Sequence, residues 1–248
     1  MAKKTFVRSV DADTRPGAAG ARTLIEHTYL QLREDVLTGR LVPGEKLVID
    51  RLKDRYAVGA GTVREAISRL VSEAMISAEG QRGFTVTPIS LDDLLDVTQV
   101  RVGLETEALR ASIRKGDDFW RNRLRIAFER MSALEQPLQP ENVPAWEGAN
   151  AEFHEALLSA CGSQWTLRII RQLTQHCERY RRYVIGMKSG RDVHSEHQMI
   201  FDSAMSGNEA RAALALEAHI RETTELIKRG IERGALPLGK SDKTSIPT

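Results

Sequence analysis

This 248-residue chain has little that could serve as a covalent scaffold or a membrane anchor. It contains only two cysteines, Cys161 and Cys177. That number excludes a disulfide framework and fits reduced thiols in a cytosolic protein. No apolar run approaches the roughly 18 residues that span a bilayer. The start, Met1-Ala-Lys-Lys-Thr-Phe-Val-Arg8, also lacks the apolar core of a signal peptide. A cytoplasmic location without membrane contact is therefore expected. Charge of one sign is missing too: 36 Lys and Arg stand against 34 Asp and Glu, a formal net charge of +2. A bulk polycation coating nucleic acid is excluded, and any DNA contact must come from local placement of basic residues. There is no His-Glu-x-x-His, no nucleophile elbow and no glycine-rich phosphate loop. What remains is 41% hydrophobic residues, with only 5% aromatics, over a length that suits two domains.

The pattern along the chain is mainly α. Residues 1–22 lack periodicity and read as a flexible tail. An apolar stripe then begins with Leu24, Thr28-Tyr29, Leu32 and Val36-Leu37, and Thr38-Gly39 ends that helix. Leu47-Val48-Ile49 reads as a short strand, with Asp50 capping a second helix that runs to Tyr56. A third helix opens on Thr62-Val-Arg-Glu65, the spacing of a capping box. Met75 to Thr87 carries a hairpin pattern turning at Gly80-Gln-Arg-Gly83. Pro88-Ile-Ser90 marks a boundary, so residues 23–88 form one expected domain. Beyond it, spans 91–115, 117–136, 145–160, 163–187, 192–206 and 208–233 read as helices with short connections. Such connections imply an all-helical antiparallel bundle over residues 89–233. Residues 234–248 read as a disordered tail.

Helix, glycine-containing turn, helix and small hairpin together spell a winged helix-turn-helix, which places a helix end in a DNA major groove. Arg64, in the first turn of the third helix, is the residue best placed to reach a base edge. Gly59, Ala60, Gly61 and Thr62 allow close backbone approach at the same end. Arg51, Lys53 and Arg55 on the preceding helix, and Gln81, Arg82 and Gly83 at the wing tip, suit backbone or minor-groove contacts. Arg69 lies further along and is placed to pack or pair internally. Taken singly, each basic residue reads as an ordinary solvated charge; the ordered combination carries the signal.

Six histidines occur, and a lone helical histidine is ordinarily a surface or satisfied core residue. Four positions form a more specific set. Asn150 and His154 are four apart on one helical face, and His197 and His219 lie on two later helices beside apolar residues. Three imidazoles and an oxygen from three antiparallel helices would suit a borderline cation such as zinc.

The stretch Val58-Gly-Ala-Gly-Thr-Val-Arg-Glu-Ala-Ile-Ser-Arg-Leu70 resembles the recognition-helix signature of GntR transcriptional regulators. The helical remainder resembles the ligand-binding domain of their FadR-type (FCD) branch, among carbon-starvation-induced and vanillate-type regulators. The resemblance spans about residues 22 to 230. It implies a dimeric repressor on a palindromic operator in double-stranded DNA, released by a small carboxylate. Most members have Ser-Arg-Thr-Pro before this helix, where this chain has Gly59, Ala60, Gly61 and Thr62. An arginine that commonly reads guanine is thus Ala60, while Arg64 matches the family's other DNA-contacting arginine. Metal-binding members use Asp-x-x-x-His, then two later histidines. Here Asn150 stands for the aspartate, followed by His154, His197 and His219. The resemblance thus implies a divalent metal, with zinc first and nickel, cobalt or manganese as alternatives, bound more exchangeably for want of one negative charge. Arg101 matches the position of an effector-binding arginine; an equally good reading is a surface arginine paired with Glu105 one turn on. Arg179-Tyr-Arg-Arg-Tyr183 could also face the cavity. Glutarate-like diacids and aromatic acids are the two effector classes implied. A metal-dependent enzyme and an effector-independent architectural DNA binder are the alternatives from other classes.

Overall fold

The computed structural model describes residues 18–78, 80, 83–135, 138, 140–184 and 191–236. The order is α1 (Ala18–Leu37), β1 (Lys46–Leu47), α2 (Ile49–Tyr56), α3 (Ala60–Ser72), β2 (Ile76–Ala78) and β3 (Phe84–Val86), followed by six helices. These are α4 (Leu91–Lys115), α5 (Asp118–Glu135), α6 (Val143–Leu158), α7 (Gln164–Arg182), α8 (Val193–Met205) and α9 (Glu209–Glu232). Helix α1 starts at Ala18, within the segment read as a tail; residues 1–17 and 237–248 lie outside the described residues.

The first three helices enclose an apolar core of Leu32, Val36, Leu52, Val63, Ile67 and Leu70. A three-stranded antiparallel sheet ordered β1-β3-β2 flanks it, with Leu47 opposite Phe84 and Ile76 opposite Val86. Gly39 terminates α1 at φ +72°, a conformation that L side chains rarely adopt. The strand expected over Leu47–Ile49 is shorter: Val48 is the extended N-cap of α2, and Asp50 sits inside the helix, paired with Lys53 at 3.3 Å.

The capping box at Thr62 does not form. Helix α3 begins two residues earlier, at Ala60, with extended Gly59 as an N-cap that offers no side chain. Glycine there leaves the first-turn amides unsatisfied by the protein, so the helix start is an open donor cluster. The turn's left-handed residue is Ala57, at φ 52°, rather than one of the glycines. Gly61 and Thr62 accordingly belong to the helix, and Arg64 lies just past its first turn.

The six later helices pack around Leu109, Leu124, Met131, Phe153, Ile200 and Leu216, all fully buried. Phe128 and Phe201 stack across α5 and α8 with centroids 4.2 Å apart. Truncating a core phenylalanine of this kind to alanine costs about 3–5 kcal/mol. Ser90 caps α4 by accepting a hydrogen bond from the Asp93 amide, as the sequence suggested. Helix α7 joins the two parts of the chain. The Arg179 guanidinium donates to the Thr87 carbonyl at 2.7 Å. The Tyr180 hydroxyl donates to Asp93 at 2.5 Å, and Arg33 of α1 reaches Glu178 at 2.5 Å.

Candidate functional site

On the N-terminal part, Arg64 is exposed, and no ion pair engages it among the described residues. Arg51 is likewise exposed on α2. The neighbouring cations are committed elsewhere. Arg55, though exposed, pairs with Asp35 of α1 at 2.7 Å and lies 5.7 Å from the Tyr56 ring centroid. Arg69 pairs with Glu26 and lies over the Tyr29 ring, 5.3 Å from its centroid, the internal role expected for it. Gly59, Ala60, Gly61 and Thr62 form the uncapped start of α3. Gly83 holds φ +94° at the base of the wing, while Gln81 and Arg82 at its tip lie outside the described residues.

Within the helical bundle, His154 (α6), His197 (α8) and His219 (α9) come together. One ring nitrogen from each lies within 4.8 Å of the others. Their ring centroids are 4.6–5.6 Å apart. Asn150 is buried on α6, one turn before His154. His197 is wholly buried, with Nδ1 2.6 Å from Glu135 and Nε2 without a hydrogen-bond partner. Donation of the Nδ1 proton to Glu135 leaves the Nε2 lone pair aimed at the other two rings, the orientation that a metal-ligating imidazole needs. His219 is held by a mixed pair: its Nδ1 lies 2.9 Å from Glu196 and 3.3 Å from the Arg191 guanidinium, which also donates to the His219 carbonyl at 2.9 Å. Burial, then repulsion from His219, His197, Arg101 and Arg181, holds His154 well below the usual imidazole range, and burial, then repulsion from His197, Arg191, Arg101 and Arg181, does the same for His219. Both rings are therefore neutral and able to donate lone pairs at pH 7. This nitrogen-rich donor set fits a borderline divalent cation.

Glu135 carries no local sequence signal, standing 62 residues from His197. It also accepts hydrogen bonds from Trp146 at 3.0 Å and from His194 at 3.1 Å. Burial pushes its carboxyl up, but these hydrogen bonds outweigh burial and hold it below the usual carboxylate range. Arg101 makes the ion pair expected with Glu105. Its Nε donates to Glu105 at 2.7 Å, yet the pair is buried in the bundle rather than on the surface. Arg181 joins the same interior through a two-pronged ion pair with Glu147. Arg179 points away from it, toward Thr87.

A cavity of about 390 Å³ opens beside His154, between α6 and α7. Its walls are apolar at Ala151, Leu158, Leu167 and Ile170, and Arg181 and Arg182 project into it. Glu152 and Glu155, which flank His154 in sequence, are exposed and paired with Arg130 at 2.8 Å and Arg171 at 3.3 Å. Neither is placed as a general base for the histidine cluster.

Comparison with known proteins divides the chain into the same two parts. Residues 24–86 match the family of bacterial regulatory proteins called gntR, and residues 96–222 match the FCD domain. An uncharacterized HTH-type transcriptional regulator, BphR of Paraburkholderia xenovorans, is 42% identical, covering 88% of this chain and 91% of the relative. The HTH-type transcriptional repressor GlaR of Escherichia coli is 29% identical, covering 82% and 95%. Among solved structures, E. coli McbR/YncC shares the fold with a TM-score of 0.67 at 17% identity, over 84% of this chain and 98% of that one. These relatives are transcriptional regulators rather than enzymes. No described helix is long and apolar enough to cross a membrane. The chain belongs to the GntR family of DNA-binding transcriptional regulators, with an N-terminal helix-turn-helix domain and a C-terminal FCD domain.

Proposed function

We propose that this regulator is a cytoplasmic homodimeric repressor that leaves a palindromic operator when a small carboxylate binds at a metal site in its helical domain. The observation that carries the reading is the convergence of His154, His197 and His219 within 4.8 Å, two of them oriented by carboxylates. Zinc bound there, with Asn150 as an oxygen ligand, would give a carboxylate a Lewis-acidic seat. The buried Arg101 guanidinium provides a fixed positive charge nearby for that carboxylate. Having Asn150 in place of an acid keeps the site more cationic, which favours an anion and weakens metal retention. The repressor role follows from the similarity to GlaR, a transcriptional repressor. Two heads on a two-fold axis would read half-sites through Arg51, Arg64 and the uncapped start of α3. Release requires the effector to prefer the arrangement that does not fit the operator, because equal affinity for both arrangements shifts nothing.

The test is metal analysis of protein purified without chelator, followed by thermal-shift screening of carboxylic acids with and without added zinc. Co-purified zinc, and stabilisation by acids that a chelator removes, are expected. Metal-free protein whose acid binding ignores chelators refutes the metal-centred part of the reading.

A further inference from the structure

Among the described residues, the DNA-binding head and the helical bundle share no apolar core. One cluster lies wholly within residues 29–86, another within 102–220, and a third, formed by the connecting segment with the bundle, within 89–236. A seam without common apolar packing takes its angle from directional polar contacts, and three from α7 cross it here. Arg179 donates to the Thr87 carbonyl just after β3 at 2.7 Å, Arg182 stands 3.7 Å from Glu34, and Glu178 pairs with Arg33 at 2.5 Å.

The Arg33 contact leads further than the other two. The same guanidinium places its Nε 3.6 Å from Glu73, the C-cap residue of α3. Glu73 spends one oxygen on the Tyr29 hydroxyl at 2.6 Å, and its other oxygen is buried without a hydrogen bond. Arg33 is the cation that offsets that oxygen. Its side chain is 20% exposed, against 14% for Glu178 and 16% for Glu73, so solvent and salt screen these pairs little. A planar guanidinium forked between two carboxylates resists turning, because any rotation of α3 against α7 stretches one arm or the other.

We propose that Arg33 is a positioning residue for operator recognition. Held between Glu178 and Glu73, it sets the angle of α3 to the bundle, and through that angle the separation of half-sites that the protein accepts. It acts through those two carboxylates rather than by touching DNA. This inference rests on the dimeric reading above, with the bundles joining the two chains. The separation of the two α3 helices then follows from the angle of each head to its own bundle.

The experiment uses the full-length protein and a half-site selected from a random duplex library. Fluorescence anisotropy measures binding to one half-site and to inverted pairs of it, with the centre-to-centre separation stepped by single base pairs through a helical turn. Wild type should favour one separation roughly tenfold over those about two base pairs away. Arg33→Gln should flatten that preference to about threefold or less while keeping the affinity for one half-site, a split that a folding defect cannot produce. Glu178→Gln, which breaks the same tie from the bundle side, should flatten it equally, and the double variant no further. The inference is overturned if either single variant keeps the wild-type preference, or if Arg33→Gln weakens every duplex equally, the single half-site included. Should Arg33→Gln fail to fold, Glu178→Gln decides by the same criteria. A wild type indifferent to separation would remove the dimeric reading, and this inference with it.

Discussion

The Nδ1 atom of His197 lies 2.6 Å from the Glu135 carboxylate, and the opposite nitrogen of the same ring is buried with no protein partner. The two facts belong together. A buried imidazole donating one proton to a carboxylate must be in the tautomer whose other nitrogen carries a lone pair. In Glu135→Gln the amide still fits the space but loses the charge that fixes this tautomer. Zinc affinity should fall by about 10–100-fold, read by competition with a chromophoric chelator. An unchanged affinity would show that Glu135 serves only packing and its Trp146 hydrogen bond.

Arg64 and Arg69 are both basic residues on α3, but only Arg64 is unengaged. Arg64→Ala should weaken binding to an operator selected from a random library by about 1–3 kcal/mol and relax preference at one base pair per half-site. Arg69→Ala should leave specificity intact, because its guanidinium is spent on Glu26 and Tyr29. Fluorescence anisotropy on matched and mismatched duplexes separates the two. Equal losses of discrimination would refute this division of roles.

Gly39 joins two demands at one position. Its φ of +72° disfavours any side chain, and a Cβ there would stand 2.8 Å from the Tyr183 hydroxyl. Gly39→Ala should lower stability by about 1–2 kcal/mol from the backbone conformation alone, with the contact added. That hydroxyl makes no hydrogen bond, so Tyr183→Phe should be nearly silent by itself and should recover the steric part in the double variant. Melting temperatures of the four proteins test this; strict additivity would mean that the two residues do not meet.

Asp93 should contribute to the acid limb of stability. Burial pushes its carboxyl up, but hydrogen bonds from His176 at 2.6 Å and Tyr180 at 2.5 Å prevail and hold it below the ordinary value of 3.8. A carboxyl depressed in the folded state contributes its full stabilisation above the unfolded value and loses it as pH falls through the folded value. The melting temperature should thus drop as pH falls below about 4. Asp93→Asn should melt lower at pH 7 and show a shallower acid limb. An unaltered limb would place the acid sensitivity in other groups.

Much of this architecture could be read along the chain. The 3.6-residue periods located five helices of the bundle to within about two residues at each end. The one expected over 163–187 ends at Arg182, with 185–187 outside the described residues. Gly39 and Ser90 marked helix ends because their backbone and hydroxyl chemistry act locally. The start of α3 was misplaced for a local reason as well. Thr62 and Glu65 have capping-box spacing, but Ala60 and Gly61 can enter the helix, and Gly59 then takes the cap position.

The sequence by itself determined the helix-turn-helix and the helical bundle, since those follow from periodicity and residue chemistry over short spans. Only the tertiary structure decided that His154, His197 and His219 converge, that Glu135 lies behind His197, that Arg181 lines the cavity while Arg179 faces Thr87, and that Arg33 of α1 lines the cavity too. Those relationships join residues brought together by packing, and spacing along a helix cannot say which of several nearby cations or carboxylates the neighbouring helix will present.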